Sequence, residues 1–213
     1  MLPWEGATPR SHTTCNNQSL TKEVLSLRTI PVWLKANGRK LKVNALLDDG
    51  SNETFINEEV VGVLGLRESY ETVKVHVLNN EVKTFQSMPV SLDIESVNGQ
   101  YSKEIKAKSC PHKVTGNYKV EDWSESKNNW PHLKGCDFPK PAREGLVDLL
   151  IGIDNVDLHY SYADVRGKSS KEPIARLGPL GWSCVGPAED NTCQLQEPTS
   201  QYLSFVLVKK TFH

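Results

Sequence analysis

One stretch of the sequence has the residue types for proton-transfer chemistry: Ala45-Leu46-Leu47-Asp48-Asp49-Gly50-Ser51. An apolar run delivers a carboxylate, Asp48, to the end of a segment that reads as a buried strand, and burial strips the carboxylate of solvent. Gly50 then allows a sharp turn and a close backbone approach, and the Ser51 hydroxyl is placed to bond a carboxylate oxygen. A carboxylate held in this way at the floor of a cleft can act as a general base on water. Asp48 is the candidate and Asp49, Gly50 and Ser51 form its loop, with Asp49 as the rival for the same role. Asp-Asp-Gly-Ser is also ordinary turn composition, so on these residues alone a plain loop stays open.

Cys110, His112, His132 and Cys136 form a second constellation, of zinc-ligand types. Cys-x-His with a distant His-x-x-x-Cys does not follow the usual ligand spacings, and packed cysteines with loop histidines account for all four. His12 and Cys15 are two ligands only. No metal and no cofactor is expected. Trp182 reads as core, and Trp130 as a loop anchor or a wall of the substrate cleft.

Alternation along the chain predicts the elements that position Asp48. Ile30, Val32 and Leu34 alternate with other residues, Asn37-Gly38 follows, and Leu41, Val43 and Ala45 alternate again. Asn-Gly between two such runs predicts a hairpin, and its second strand leads straight into Asp48. NEEVVGVLGL predicts a short helix, with Asn57 as its cap, Glu58 and Glu59 at its positive end and Gly65 as its stop. VKVHVLNNEVKTF predicts a second hairpin, with Val73, Val75 and Val77 on one face and Asn79-Asn80 at the tip. A strand through Val90, Leu92 and Ile94, a turn at Asn98-Gly99 and a strand over 101–107 come next. Leu149-Leu150-Ile151-Gly152 is an apolar triplet closed by glycine, the mark of a strand buried on both faces. ARLGPLGWSCVG predicts a last strand region.

Residues 111–145 break the pattern, with three prolines after Pro111, two tryptophans and no period. They predict a long insertion loop with little regular structure, mobile and open to proteases. Many short strands and one brief helix make the chain all-β. Residues 1–25 read as a polar tail or linker, 26–186 as the domain, and 187–213 as a linker or the start of a following domain.

Lys plus Arg number 25 against 26 Asp plus Glu, a net charge of -1 over 213 residues. Without a basic excess there is no electrostatic ground for nucleic-acid binding. No apolar run approaches a membrane span, and the first residues lack the layout of a signal peptide. The five irregularly spaced cysteines then read as reduced thiols in a cytosolic setting.

In this order, LLDDGSNETFI, a short helix ending in LGL, the second hairpin and LLIGIDN resemble the retropepsin-like peptidases of retroelements. The set ALLDDGS, WPHL, DLLIGIDN and EPIARLGPLGW resembles the peptidase of Pao/BEL-type LTR retrotransposons, over roughly Leu27 to Gly186. That resemblance implies a single-lobe acid-protease (retropepsin-like) closed β-barrel with a short helix and a long insertion loop. It also implies an aspartic endopeptidase in which Asp48 is catalytic, Asn79 and Asn80 tip a flap, and Leu150, Ile151 and Gly152 form the supporting strand. Such chemistry needs two carboxylates sharing one proton. With one motif per chain, a homodimer is implied, acting on polypeptide, its own polyprotein above all, in the cytoplasm or an intracellular retroelement particle. The family carries Thr or Ser where this chain has Asp49, and that hydroxyl braces the two loops across the dimer. Asp49 brings a negative charge and no donor unless protonated. A catalytically silent retropepsin-like binding or scaffold module is the alternative.

Overall fold

A computed structural model of the chain describes residues 24–77 and 81–188. Asn79 and Asn80, His12 and Cys15, and the YLSFVLV segment lie outside the described residues. Strands β1 (Val24–Ala36) and β2 (Arg39–Leu47) form the first expected hairpin, paired from Ala36↔Arg39 to Thr29↔Leu46. Asn37 and Gly38 turn the chain with φ of 50° and 73°, the left-handed pair that a two-residue connection between twisted strands requires.

Strand β3 (Phe55–Asn57) leads into helix α1 (Glu58–Leu64), which Gly65 stops in the left-handed conformation. Asn57 does not cap this helix through its side chain. Its amide instead donates to Val147 O and Asp148 Oδ1, and its oxygen accepts from the Val114 amide. The buried backbone beside β3 competes for these groups and takes them. Strands β4 (Glu71–His76) and β5 (Val82–Ser87) make a separate two-stranded sheet. Strands β6 (Pro89–Ser96) and β7 (Ser102–Cys110) meet at the Asn98-Gly99 turn.

Strand β8 (Leu149–Ile151) then inserts between β2, to which it runs parallel, and β3, to which it runs antiparallel. The order β1, β2, β8, β3, β7, β6 and back to β1 closes a six-stranded barrel. The fold is thus the expected all-β closed barrel. Its interior is filled by residues such as Ile30, Leu34, Ile56, Ile94, Leu149 and Ile151, each no more than 1% exposed. Strands β9 (Ala163–Val165), β10 (Ile174–Gly178) and β11 (Gly181–Ala188) extend the sheet from the first half of β1. No helix among the described residues is long and apolar enough to cross a membrane.

The insertion departs from expectation. Regular structure is indeed sparse: helix α2 (Trp123–Ser126), two 3-10 turns and one bridge, Lys119 to Leu146. Yet the stretch is packed rather than loose. Trp123, Leu133, Cys136 and Phe138 are buried and form a second core with Ala175 and Cys184 of β10 and β11. Trp123 also donates from its indole nitrogen to Ser26 Oγ at 3.2 Å. Its return to the barrel is pinned by buried Asn44, which donates to Leu146 O and accepts from the Ala142 amide, both at 2.8 Å. Apolar residues that meet a distant sheet at irregular intervals leave no period to read.

Candidate active site

The parallel pairing of β2 with β8 sets the position of Asp48. Leu47 lies opposite Ile151, and the Asp48 amide donates to Ile151 O at 3.0 Å. The chain then turns back, with the Ser51 amide donating to Asp48 O at 3.2 Å. The Gly50 amide donates to Asp48 Oδ1 at 2.9 Å and orients the carboxylate. The Ser51 hydroxyl, expected on that carboxylate, instead donates to Glu53 O at 2.7 Å. Ser51 is fully buried, so its side chain serves the nearest buried carbonyl while the Gly50 amide serves the carboxylate.

Gly152 has to be glycine. A Cβ there would stand 2.5 Å from Glu53 O and 2.7 Å from Glu53 C, well inside van der Waals contact. Its amide donates to Thr54 Oγ1 at 3.2 Å, which also accepts from Asn155 Nδ2 at 3.0 Å and donates to Asp154 Oδ1 at 2.7 Å. Asp154 Oδ2 accepts from the Thr54 amide at 3.1 Å. Thr54 thus locks the end of β8 to the start of β3 beneath the Asp48 loop.

Burial raises the Asp48 carboxyl above the usual carboxylate range; the Gly50 hydrogen bond lowers it, the Asp49 charge raises it, and His159 lowers it. Asp49 has a close partner: its Oδ1 lies 2.6 Å from His159 Nδ1. Arg28 stands behind this pair. Its Nη1 donates to His159 O at 3.2 Å and its Nε to Ser183 Oγ at 3.3 Å. Desolvation and the Arg176 charge lower Arg28 from the usual guanidinium value, while Asp49 and Asp164 act in the opposite direction.

Side chains alternate along a strand, so Leu46 leaves β2 on the side opposite Leu47 and the barrel interior. On that side Leu46, Phe55 and Leu150 pack against Val73 and Val75 of β4, and the rings of Phe55 and Phe85 lie 6.3 Å apart. Tyr118 of the insertion flanks the same cluster and accepts from the Leu27 amide at 2.7 Å. The β4–β5 hairpin therefore covers the apolar face that Leu46, Phe55 and Leu150 form just before and beside the Asp48 loop.

No protein-family model and no curated protein matches this chain. Among solved structures, the crystal structure of a retropepsin-like aspartic protease from Rickettsia conorii aligns with 78% of this chain and 93% of that one. The sequence identity is 13% and the TM-score 0.32.

The structure thus brings Asp48, Asp49, Gly50, Ser51, Ile151 and Gly152 together, and places Leu150 on the apolar face beside them. It does not gather the zinc-ligand types. His132 Nε2 lies 2.9 Å from Pro173 O, Cys136 is buried in the second core, and Cys110 ends β7. No group of three or more His, Cys, Asp or Glu among the described residues could hold a metal ion. Trp130, considered as a cleft wall, packs on the second core with its ring 6.2 Å from that of His132. Sequence reasoning missed Arg28, Thr54, Asp154 and His159. Thr54 and Asp154 lie inside the recognised strings LLDDGSNETFI and LLIGIDN, and Asp154, followed by Asn155-Val156, reads there only as lacking a second catalytic turn. Nothing local marks Arg28 or His159.

Proposed function

We propose that this chain is a retropepsin-like aspartic endopeptidase of the Pao/BEL type, active as a homodimer in which each subunit supplies Asp48. The observation that carries this is a half-buried carboxylate just past the end of β2 in a closed barrel, oriented by the Gly50 amide and raised chiefly by burial. Two such groups facing each other share a proton. The ionised one takes a proton from water, whose oxygen attacks the scissile carbonyl carbon. The protonated one donates to the carbonyl oxygen. Collapse of the intermediate breaks the C–N bond: the leaving amine takes the proton that the first aspartate drew from water, and a hydroxyl of the gem-diol returns its proton to the second, which restores the dyad.

Two features support the assembly and the substrate. Ile153, Val156, Tyr160 and Tyr162, between 48% and 68% exposed, follow β8 directly beside the Asp48 loop, and they suit burial against a second copy. The apolar residues that β4 and β5 cover, Leu46, Phe55 and Leu150, would meet apolar side chains next to the scissile bond when the hairpin, as flap, lifts. The ordered strings shared with Pao/BEL peptidases favour a polyprotein containing this domain as substrate.

Asp48→Asn tests the reading. Cleavage of a mixed peptide library is expected to fall about 10²–10⁴-fold with the fold retained by circular dichroism, and wild-type specific activity to drop on dilution as dimers separate. A variant that cuts at the wild-type rate rules out Asp48 as the catalytic group. Binding of peptide without cutting by the wild type would favour the scaffold reading.

A further inference from the structure

Both ring nitrogens of His159 face acceptors. Nδ1 lies 2.6 Å from Asp49 Oδ1, and Nε2 lies 3.1 Å from Gly152 O. A neutral imidazole has one N–H and one lone pair, so it serves one of these oxygens and turns a lone pair toward the other. Only the imidazolium donates to both; Gly152 O accepts from the Asn155 amide as well, at 3.1 Å. The ring side chain is 8% exposed against 75% for Asp49, so the ring sits on the inside of the pair, against the two oxygens.

The two contacts join the segments that build the site. Asp49 follows Asp48. Gly152 follows Ile151, whose carbonyl accepts from the Asp48 amide. The ring therefore spans the outgoing end of β2 and the outgoing end of β8, and Arg28 anchors its backbone from β1.

We propose that His159, as an imidazolium, is a positioning residue for Asp48: it clamps Asp49 to Gly152 and offsets the Asp49 charge beside the carboxylate dyad. This rests on the peptidase reading above. The charged groups that face the pair are Asp48 on the same loop and Arg28 on β1, with Arg176 on β10 and Asp164 on β9 facing Arg28 in turn. Asp157, two residues before His159, is engaged elsewhere, by Lys103 and Tyr101.

The charge argument gives opposite signs for the two partners. Removing the cation leaves Asp49 uncompensated, which disfavours ionisation of the dyad and moves the basic limb of the pH profile upward. Removing Asp49 moves it downward. A residue that only supported the fold would not separate the two in this way.

The test uses the full chain as wild type, His159→Gln and Asp49→Ala, with kcat/KM for a cleaved library peptide measured across pH. The basic limb is expected to rise by roughly half a pH unit in His159→Gln and to fall by a similar amount in Asp49→Ala. Limbs that move together, or do not move, overturn the proposal while leaving the peptidase reading intact. A second readout needs no cleavage and no folded His159 variant. In nitrogen-edited NMR of the wild type, both ring N–H protons of His159 are expected to be visible and protected from solvent, and the Nδ1 proton is expected to be lost in Asp49→Ala. A single protected ring proton in the wild type overturns the clamp. If the wild type cuts no peptide, the peptidase reading fails and the positioning role fails with it, whereas the ring protons still decide whether the clamp exists.

Discussion

Two irregular segments of this molecule are held by different balances of hydrogen bonding and apolar burial. Residues 48–54 are fixed by hydrogen bonds over a few ångströms: Asp48 to Ile151, Gly50 to Asp48, Ser51 to Glu53, Thr54 to Asp154. Residues 111–145 are tied down at separate points by hydrogen bonds from Trp123 to Ser26, Ala142 to Asn44 and Val114 to Asn57, and between these points by burying Trp123, Leu133 and Phe138 on β10 and β11. Directional bonds fix where a carboxylate points. Apolar burial fixes only that a segment stays down, and suffices where no group has to be aimed.

The largest expected effect tests the second half of that contrast. Trp123→Ala removes a buried indole, its contact with Phe138 and its bond to Ser26, and should cost about 3–5 kcal/mol. Urea denaturation measures it, and hydrogen exchange should show amides around Leu133 losing protection. A cost near zero would mean that the insertion is the loose loop its composition predicted.

That composition misled for a physical reason. A hairpin announces itself locally: Asn37-Gly38 and Asn98-Gly99 meet a backbone requirement within the turn, and both were legible. So was Gly152, as the stop of an apolar strand. The insertion's partners lie on strands about forty to sixty residues later, so no window of sequence contains both sides of its core. Asn57 and Ser51 were legible as polar residues at the correct places but not in their bonding, because helix end, carboxylate and buried carbonyls compete for the same donors. His159 lies 110 residues from Asp49, and only the closed barrel brings them together.

A smaller effect tests the first half. Gly152→Ala drives a methyl group into the Glu53 backbone and should cost about 1–3 kcal/mol as the loop shifts. Because the same backbone positions Asp48, peptide cleavage should drop by more than the loss of folded protein explains. If activity merely follows the folded fraction, the loop's bonds do not aim the carboxylate.

The smallest effect is a stability difference that depends on pH. Burial raises Asp48, so the folded chain holds this proton more tightly than the unfolded chain does. As pH rises from the ordinary carboxylate value through the raised one, the folded chain loses stability that a neutral amide would keep. Asp48→Asn should therefore melt with the wild type in acid below that window and roughly 1–3 °C higher above it. A variant that melts lower at neutral pH would show that the carboxylate is well solvated and its loop is not under this cost.

The place of β8 also sets an order of assembly. It lies between β2 and β3, yet leaves the ribosome about a hundred residues after β2. At about 5–20 residues per second, the nascent chain spends on the order of 5–20 s with β2 and β3 unbridged and each offering a bare edge for pairing. Through that interval the Asp48 amide has no Ile151 carbonyl to meet, and Asp49 has no His159. A contact so distant in sequence is slow to close, so the chemistry-bearing loop is finished only after most of the barrel around it has already been made.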